Sequence, residues 1–428
     1  MTPAARILRL SAAFLGSNLA RAAIGFAVSL AIARGLGAER FGRWILCTAW
    51  ASTLTVAVDL GLGVLLTRDG ARLDADPGRL LSGALLLRLA LAVPLALVLY
   101  ASASHLSPDA ETIAGLRVAA LLGTAGAAYG CFGALFRSQP RWLAAVLATE
   151  TAWLALQLGA AWWIVHTSVG EPAGIRSLLM LAASVQLAQI ATAVVCWRAV
   201  FGDRGRVRLP SPYALVALLR RALPCAAAGS VANVQTRLGP LMLGYLSTPS
   251  ELGLFAAASR FGSVARLAPQ AVFAGALPVL SHEHERDRAS AERVSHAFDR
   301  ILLGLSAAMA LASAPLAVPV LRLVYGPAFT RAAPALLWIS VGLIPLLSNS
   351  GRKVFLYASG GEALAVRWSA VALIVQATLG AILIPTLGGV AAAVSVAAGE
   401  AVIWWPLRRA APRSALTMNA EPAEVLCT

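Results

Sequence analysis

The chain has 428 residues, 59% apolar and 13% charged, and its 35 basic and 20 acidic side chains give a formal charge of +15. Soluble domains carry about 45–50% apolar and about 25% charged residues, so an ordinary globular protein is excluded, as is an enzyme with a folded soluble half. The charge does not point to nucleic acid either: apart from Lys353 the basic residues are all arginines, and most sit in short loops between apolar runs rather than on a polar face interleaved with aromatics.

In chain order the apolar runs are Leu10–Ala33, Arg43–Leu66, Leu80–Ala103, Ala114–Phe136, Trp142–Val165 and Ser177–Val200. After a polar link come Ala222–Leu246, Leu252–Leu280, Ile301–Leu321, Ala333–Ala358, Ala363–Ile384 and Gly389–Leu407. Each is near the roughly 20 residues a helix needs to cross a bilayer, so the sequence predicts an all-α membrane protein of about twelve transmembrane helices. The expected organisation is an N-terminal six-helix bundle over residues 1–200, a cytoplasmic linker over 201–221, a C-terminal six-helix bundle over 222–407 and a cytoplasmic tail over 408–428. Pro269 can kink the eighth run.

Arg6 and Arg9 precede the first run, and Ala20-Arg21-Ala22 has the form of a signal-peptide cleavage site. The run nevertheless continues at full spanning length to Ala33, so it reads as a retained helix. An even number of spans puts both termini on one side. That side collects Arg6, Arg9, Arg137, Arg141, Arg220, Arg221, Arg352, Lys353, Arg408 and Arg409, whereas Arg34, Arg40, Arg43, Arg176, Arg322 and Arg331 fall opposite. Basic residues mark cytoplasmic loops, so both termini of this multi-pass membrane protein are expected in the cytoplasm.

The two halves carry a trace of an internal repeat. Glu39-Arg40-Phe41-Gly42-Arg43-Trp44 falls opposite Ser250-Glu251-Leu252-Gly253-Leu254-Phe255 at an offset of 211. Both halves start on the cytoplasmic side, which makes this a parallel repeat.

Arg21, Arg88, Arg117, Arg237, Arg260 and Arg266 fall inside the predicted spans. Each costs about 2.5–3.5 kcal/mol near a helix centre, so each needs water, an anion or a partner. Arg117 is close enough to a span end to snorkel. Arg21, Arg237 and Arg266 lie deepest, with Arg88 and Arg260 intermediate. Asn18 with Arg21, and Asn233 with Arg237, share helix faces at spacings of three and four. A cavity lined by these groups suits an anion, phosphate above all, which a guanidinium grips with two parallel hydrogen bonds. The competing arrangement is internal pairing with Asp59, Glu150 and Glu400, three acids that cannot neutralise all the arginines. Glu150, Trp153 and Gln157 share a face that could wall a sugar site, and Asp59 and Glu150 are candidates for proton coupling. Glu400 with Trp404 resembles an interface anchor.

The five cysteines have no CxxC pairing and suggest neither disulfides nor metal. His282-Glu283-His284-Glu285 lies beside Arg286 and Arg288 and reads as a solvated loop rather than a metal clip. There is no P-loop, and nothing calls for a cofactor.

Ala33-Arg34-Gly35-Leu36-Gly37-Ala38-Glu39-Arg40-Phe41-Gly42, then Asp59-Leu60-Gly61-Leu62-Gly63, resemble the start of bacterial Wzx-type polysaccharide (O-antigen) flippases, of the multidrug/oligosaccharidyl-lipid/polysaccharide exporter superfamily. Tyr325-Gly326-Pro327-Ala328-Phe329, followed by Ala332, Ala333 and Pro334, is similar to that family's loop between the ninth and tenth helices. The resemblance implies a MATE-like, V-shaped pair of six-helix bundles. It also implies a non-enzymatic transporter that moves an undecaprenyl-pyrophosphate-linked glycan between leaflets, in contact with membrane lipids and working beside a polysaccharide polymerase and glycosyltransferases. Arg21, Arg237 and Arg266 would then meet the pyrophosphate, with Arg88 and Arg260 as secondary contacts. A drug exporter of the same superfamily is expected to have an acidic cavity instead, and a polymerase or ligase a large periplasmic loop. Neither is evident in the sequence.

Overall fold

The computed structural model describes residues 3–72, 76–139, 142–167, 174–205, 210–265, 288–358 and 361–410. Among them the secondary structure is entirely helical: α1 Pro3–Ala57, α2 Leu62–Gly70, α3 Pro77–Leu106, α4 Ala110–Ser138, α5 Leu143–Thr167, α6 Ile175–Phe201, α7 Pro212–Leu246, α8 Pro249–Ala265, α9 Arg288–Tyr325, α10 Ala333–Ala358 and α11 Glu362–Ala410, with short 3₁₀ turns after α6 and α9. In the described residues seven stretches are long and apolar enough to cross a membrane, the longest being Leu19–Ala57 and Ala363–Arg409.

Those two stretches each hold two of the expected spans, and each bends at a glycine. Gly37 (φ 72°) divides α1 and Gly388 (φ 55°) divides α11, in left-handed conformations that a side chain would strain. Other boundaries follow side-chain caps. Asp76 accepts from the Arg79 amide to start α3, and Asp109 from the Thr112 amide to start α4. Ser211 caps α7, with proline in the first turn. That cap starts α7 at Pro212, so the end of the expected linker is already helical. The second expected span, Arg43–Leu66, is also interrupted. Leu60 adopts φ 44° and Gly61 φ 77°, and the chain turns before α2.

The described chain forms two compact units, Met1–Ala256 and Ala257–Thr428. The expected joint at 201–221 falls inside the first because α7 packs on α1, α2 and α3. In that unit α4 is the central helix, touching α1, α2, α3, α5 and α6. Its Phe132 and Phe136 pack with Trp197, Leu66 and Leu81 in one buried cluster. In the second unit α10 lies against α9 and α11, around Leu302, Leu343 and Leu347 and around Leu356, Ile403 and Leu407. Large apolar side chains such as Leu97, Val98, Leu121 and Ile382 point outward, the pattern expected of helices bathed in lipid tails.

Candidate functional site

Two of the arginines inside the predicted spans, Arg21 and Arg88, form ion pairs in the first unit, and both pairs face α4. In the first, Nη1 of Arg21 on α1 donates to both carboxylate oxygens of Glu150 on α5, at 2.6 and 2.5 Å. The guanidinium lies over the Trp153 ring, 4.7 Å from its centroid. Glu150 and Trp153 are one helical turn apart, so a single face of α5 supplies both the counter-ion and the aromatic plate. The Tyr129 hydroxyl of α4 completes the group by donating to Glu150 at 3.5 Å. One turn further along α4, Gly133 leaves room for the Arg137 guanidinium, 3.4 Å from where a Cβ would stand. Arg137 is exposed, and its charged and titratable neighbours include Tyr129, Glu150, Arg21 and Arg88.

The second pair joins Arg88 of α3 to Asp59. Arg88 also donates to the Ala127 carbonyl of α4 at 3.2 Å. Gly130 and Gly63 form the notch around it: a Cβ on Gly130 would strike the Arg88 guanidinium, and one on Gly63 would stand 3.2 Å from Asp59 Oδ1. The bend at Leu60 and Gly61 is therefore what carries Asp59 to its partner.

Arg237 is held differently. Its Nε donates to the Ser52 hydroxyl at 3.3 Å, and its Nη1 to the Asn233 carbonyl at 2.9 Å and to Asn233 Oδ1 and Thr236 Oγ1 at 3.4 Å. No carboxylate pairs with it among the described residues. Around it α1 and α7 are stitched together by Trp50, whose indole N–H donates to the Tyr245 hydroxyl at 2.6 Å, and by Leu46 lying against Gly244.

Internal pairing thus accounts for Arg21 and Arg88, and Arg237 stands outside it. Asn233 is beside Arg237 as its spacing predicts. Arg117 rests 5.1 Å above the Tyr100 ring. Arg260 belongs to the second unit, where Tyr325 is its neighbour. Of Asn18 only the backbone, within α1, is described. Arg266, Pro269 and the His282–Glu285 run lie outside the described residues.

Sequence reasoning missed a buried polar network in the second unit. Asp299 on α9 accepts from Ser348 at 2.8 Å, from Arg352 at 3.4 Å and from Arg408 at 3.0 Å. The Trp404 indole donates to Ser348 at 2.9 Å. Asn349 Nδ2 donates to Glu400 at 2.7 Å, with Lys353 4.0 Å away. Glu400 is buried, with 4% of its surface exposed, so it is not an interface anchor. Arg352, Lys353 and Arg408 read from sequence as charges on the cytoplasmic side. The signals were the Ser348-Asn349 pair inside an apolar run and the four-residue spacing of Glu400, Trp404 and Arg408, which places all three on one helix face.

The chain is similar in fold to solved transporters. It aligns with an inward-facing multidrug resistance MATE family transporter of the MOP superfamily at a TM-score of 0.72 and 16% identity, covering 95% of this chain and 96% of that one. With an outward-facing MATE structure the TM-score is 0.62 at 16% identity, covering 98% of each chain. With the lipid II flippase MurJ in an inward closed conformation it is 0.65 at 12% identity, covering 96% of this chain and 90% of that one. No curated protein matches the sequence. The profile of polysaccharide biosynthesis proteins matches residues 7–283, well over half of the chain. With its all-helical, MATE-like fold, the chain belongs to the polysaccharide biosynthesis protein family.

Proposed function

We propose that this protein is a Wzx-type flippase, which carries an undecaprenyl-pyrophosphate-linked oligosaccharide from the cytoplasmic to the periplasmic leaflet of the bacterial inner membrane. Both termini are then cytoplasmic, as the distribution of arginines supports. The observation that carries the reading is Arg237: a half-buried guanidinium at the contact between α1 and α7, held by hydroxyl and amide groups and paired with no described carboxylate. A pyrophosphate must leave water to cross hydrocarbon, at a cost of many kcal/mol if unaided. Positive groups fixed along its route replace that hydration, and a planar guanidinium does so with two hydrogen bonds at once. Arg21, partly exposed beside the Trp153 ring, offers the same chemistry.

Multidrug export, the activity named for the MATE neighbours, is the other function seen on this fold. The family assignment and the excess of arginine over acid inside the helices favour the polyanionic lipid.

Arg237→Ala is the direct test, because it removes a cation without leaving a buried carboxylate unpaired. In cells whose surface polysaccharide depends on this protein, the variant should reach the membrane in normal amounts yet make little surface polysaccharide, with Arg237→Lys intermediate. Normal polysaccharide in Arg237→Ala, or altered drug tolerance with polysaccharide intact, would overturn the reading.

A further inference from the structure

A crevice of about 370 Å³ opens between the first turns of α3 and the start of α7. Leu80, Pro210 and Ala214 give it apolar walls. Gly83 and Leu218 meet at the end farthest from the two helix starts, where a Cβ on Gly83 would stand 3.1 Å from Leu218 Cδ2. Arg79, one helical turn before Gly83, belongs to the opposite end. The space is within the range of sites that hold small ligands. On the orientation that the arginines support, it lies at the cytoplasmic end of both helices.

Its surroundings carry surplus positive charge. The described residues at the end of α2, the start of α3 and the start of α7 include Arg68, Arg72, Arg79, Arg220 and Arg221 but only two carboxylates, Asp69 and Asp76. Asp69 is buried and already answers both Arg68 and Arg221. Asp76 caps α3 and stands 3.3 Å from Arg79 Nε. Neither Nη of Arg79 donates to a described residue, and the side chain is 71% exposed. Depth can be read from α7, whose 35 residues span about 52 Å against about 30 Å of hydrocarbon, so the helix extends past the apolar core. Tyr213 in its first turn is 84% exposed, and tyrosine is a residue of the membrane–water interface. The start of α7 therefore belongs at the level of the lipid headgroups.

We propose that this crevice holds an anionic phospholipid of the cytoplasmic leaflet, its phosphate on Arg79 and the glycerol end of its chains against Leu80, Ala214 and Leu218. Each part of such an amphiphile meets its match. The free edge of the Arg79 guanidinium takes the phosphate, and the apolar walls lose water to the chains. A zwitterionic lipid would bring its own cation to a rim that is already in positive surplus, so phosphatidylglycerol is preferred over phosphatidylcholine. A bare phosphate ion would leave the apolar walls wet. Small side chains at Gly83 and Ala214 keep α3 and α7 apart along the crevice, and a lipid seated there ties the two helices together. The proposal goes beyond the transport reading and holds whatever the cargo is.

The experiment uses the purified full-length protein in a non-ionic detergent, with dioleoyl phosphatidylglycerol, dioleoyl phosphatidylcholine and inorganic phosphate as probes. Native mass spectrometry measures which lipid is retained, and thermal unfolding measures what it does. Wild type should retain phosphatidylglycerol in preference to phosphatidylcholine and unfold at a higher temperature with it. Inorganic phosphate should not displace it. Arg79→Ala should weaken retention about fivefold, the worth of one arginine at an anionic membrane surface. Arg409→Ala removes another arginine assigned to the cytoplasmic side, stacked on Trp405 in the second unit, and should leave retention unchanged. Ala214→Trp, at an exposed position, fills the crevice and should abolish the rise with phosphatidylglycerol while keeping the lipid-free unfolding temperature. Equal retention of the two lipids, displacement by phosphate, or equal effects of Arg79→Ala and Arg409→Ala would overturn the site. So would an undiminished rise in Ala214→Trp. If Ala214→Trp lowers the lipid-free unfolding temperature, the comparison of Arg79→Ala with Arg409→Ala decides.

Discussion

Gly42 and Gly253 face each other backbone to backbone, with no side chain between them. A Cβ on Gly42 would fall on the Pro249 carbonyl and stand 2.9 Å from the Gly253 amide nitrogen. One on Gly253 would fall on the Ala38 carbonyl and stand 3.1 Å from the Gly42 amide nitrogen. The contact is reciprocal, because the offset of 211 that relates Gly42 to Gly253 also relates Ala38 to Pro249. The faint repeat in the sequence is thus the trace of a local two-fold crossing of α1 and α8, where only glycine admits so close an approach.

Gly42→Ala should therefore destabilise the protein by about 1–3 kcal/mol, since the atoms in its way are backbone and cannot rotate aside. Gly253→Ala should cost a similar amount, and the double variant less than the sum, because both push apart the same crossing. Thermal unfolding in detergent measures this. Full additivity would argue against a shared contact.

At the Arg88–Asp59 pair the order of two substitutions is diagnostic. Asp59→Ala strands a buried guanidinium and should cost about 3–5 kcal/mol. Arg88→Ala leaves a carboxylate that already reaches solvent, and should cost clearly less. The reverse order in unfolding experiments would mean that the cation is not the buried partner.

Asp109 gives a pH signature. Burial pushes its carboxyl up, but the hydrogen bonds from Thr112 and the Arg43 guanidinium, 2.9 Å away, outweigh this and hold it below its usual 3.8. A lowered folded value means that its contribution is complete above about pH 4 and is lost as the pH falls through the folded value. Asp109→Asn keeps a capping side chain but should flatten the acid limb of stability below about pH 4. Unfolding temperatures over that range would show it, and an unchanged acid slope would refute it. Asp109→Ala should also lose the cap, for about 0.5–2 kcal/mol.

In the second unit Asp299 answers two arginines, of which Arg352 is the more buried. Asp299→Ala should cost about 3–5 kcal/mol, and adding Arg352→Met should recover much of the loss, since a matched apolar replacement removes the unpaired charge. Additive losses in the double variant would show that the two residues do not act as a pair.

Much of the architecture was legible in the sequence. Leu80–Ala103 and Ala114–Phe136 lie within α3 and α4, and Gly37 and Gly388 punctuate the long apolar stretches where two spans meet. Hydrophobic length and glycine placement are local properties, readable without neighbours. The early start of α7 is local too: Ser211 and Pro212 form a helix-start signal inside what the charge pattern marks as linker.

The sequence alone determined that the chain is all-helical, bilayer-sized in its segments and burdened with deep arginines, because solvation cost depends on residue type and depth. Tertiary structure decided what each arginine meets. Glu150 lies 129 residues from Arg21 and Asp59 lies 29 from Arg88, and no periodicity joins positions so far apart. It also decided which partner of each pair is exposed, a property of the surrounding helices that neither residue carries in itself.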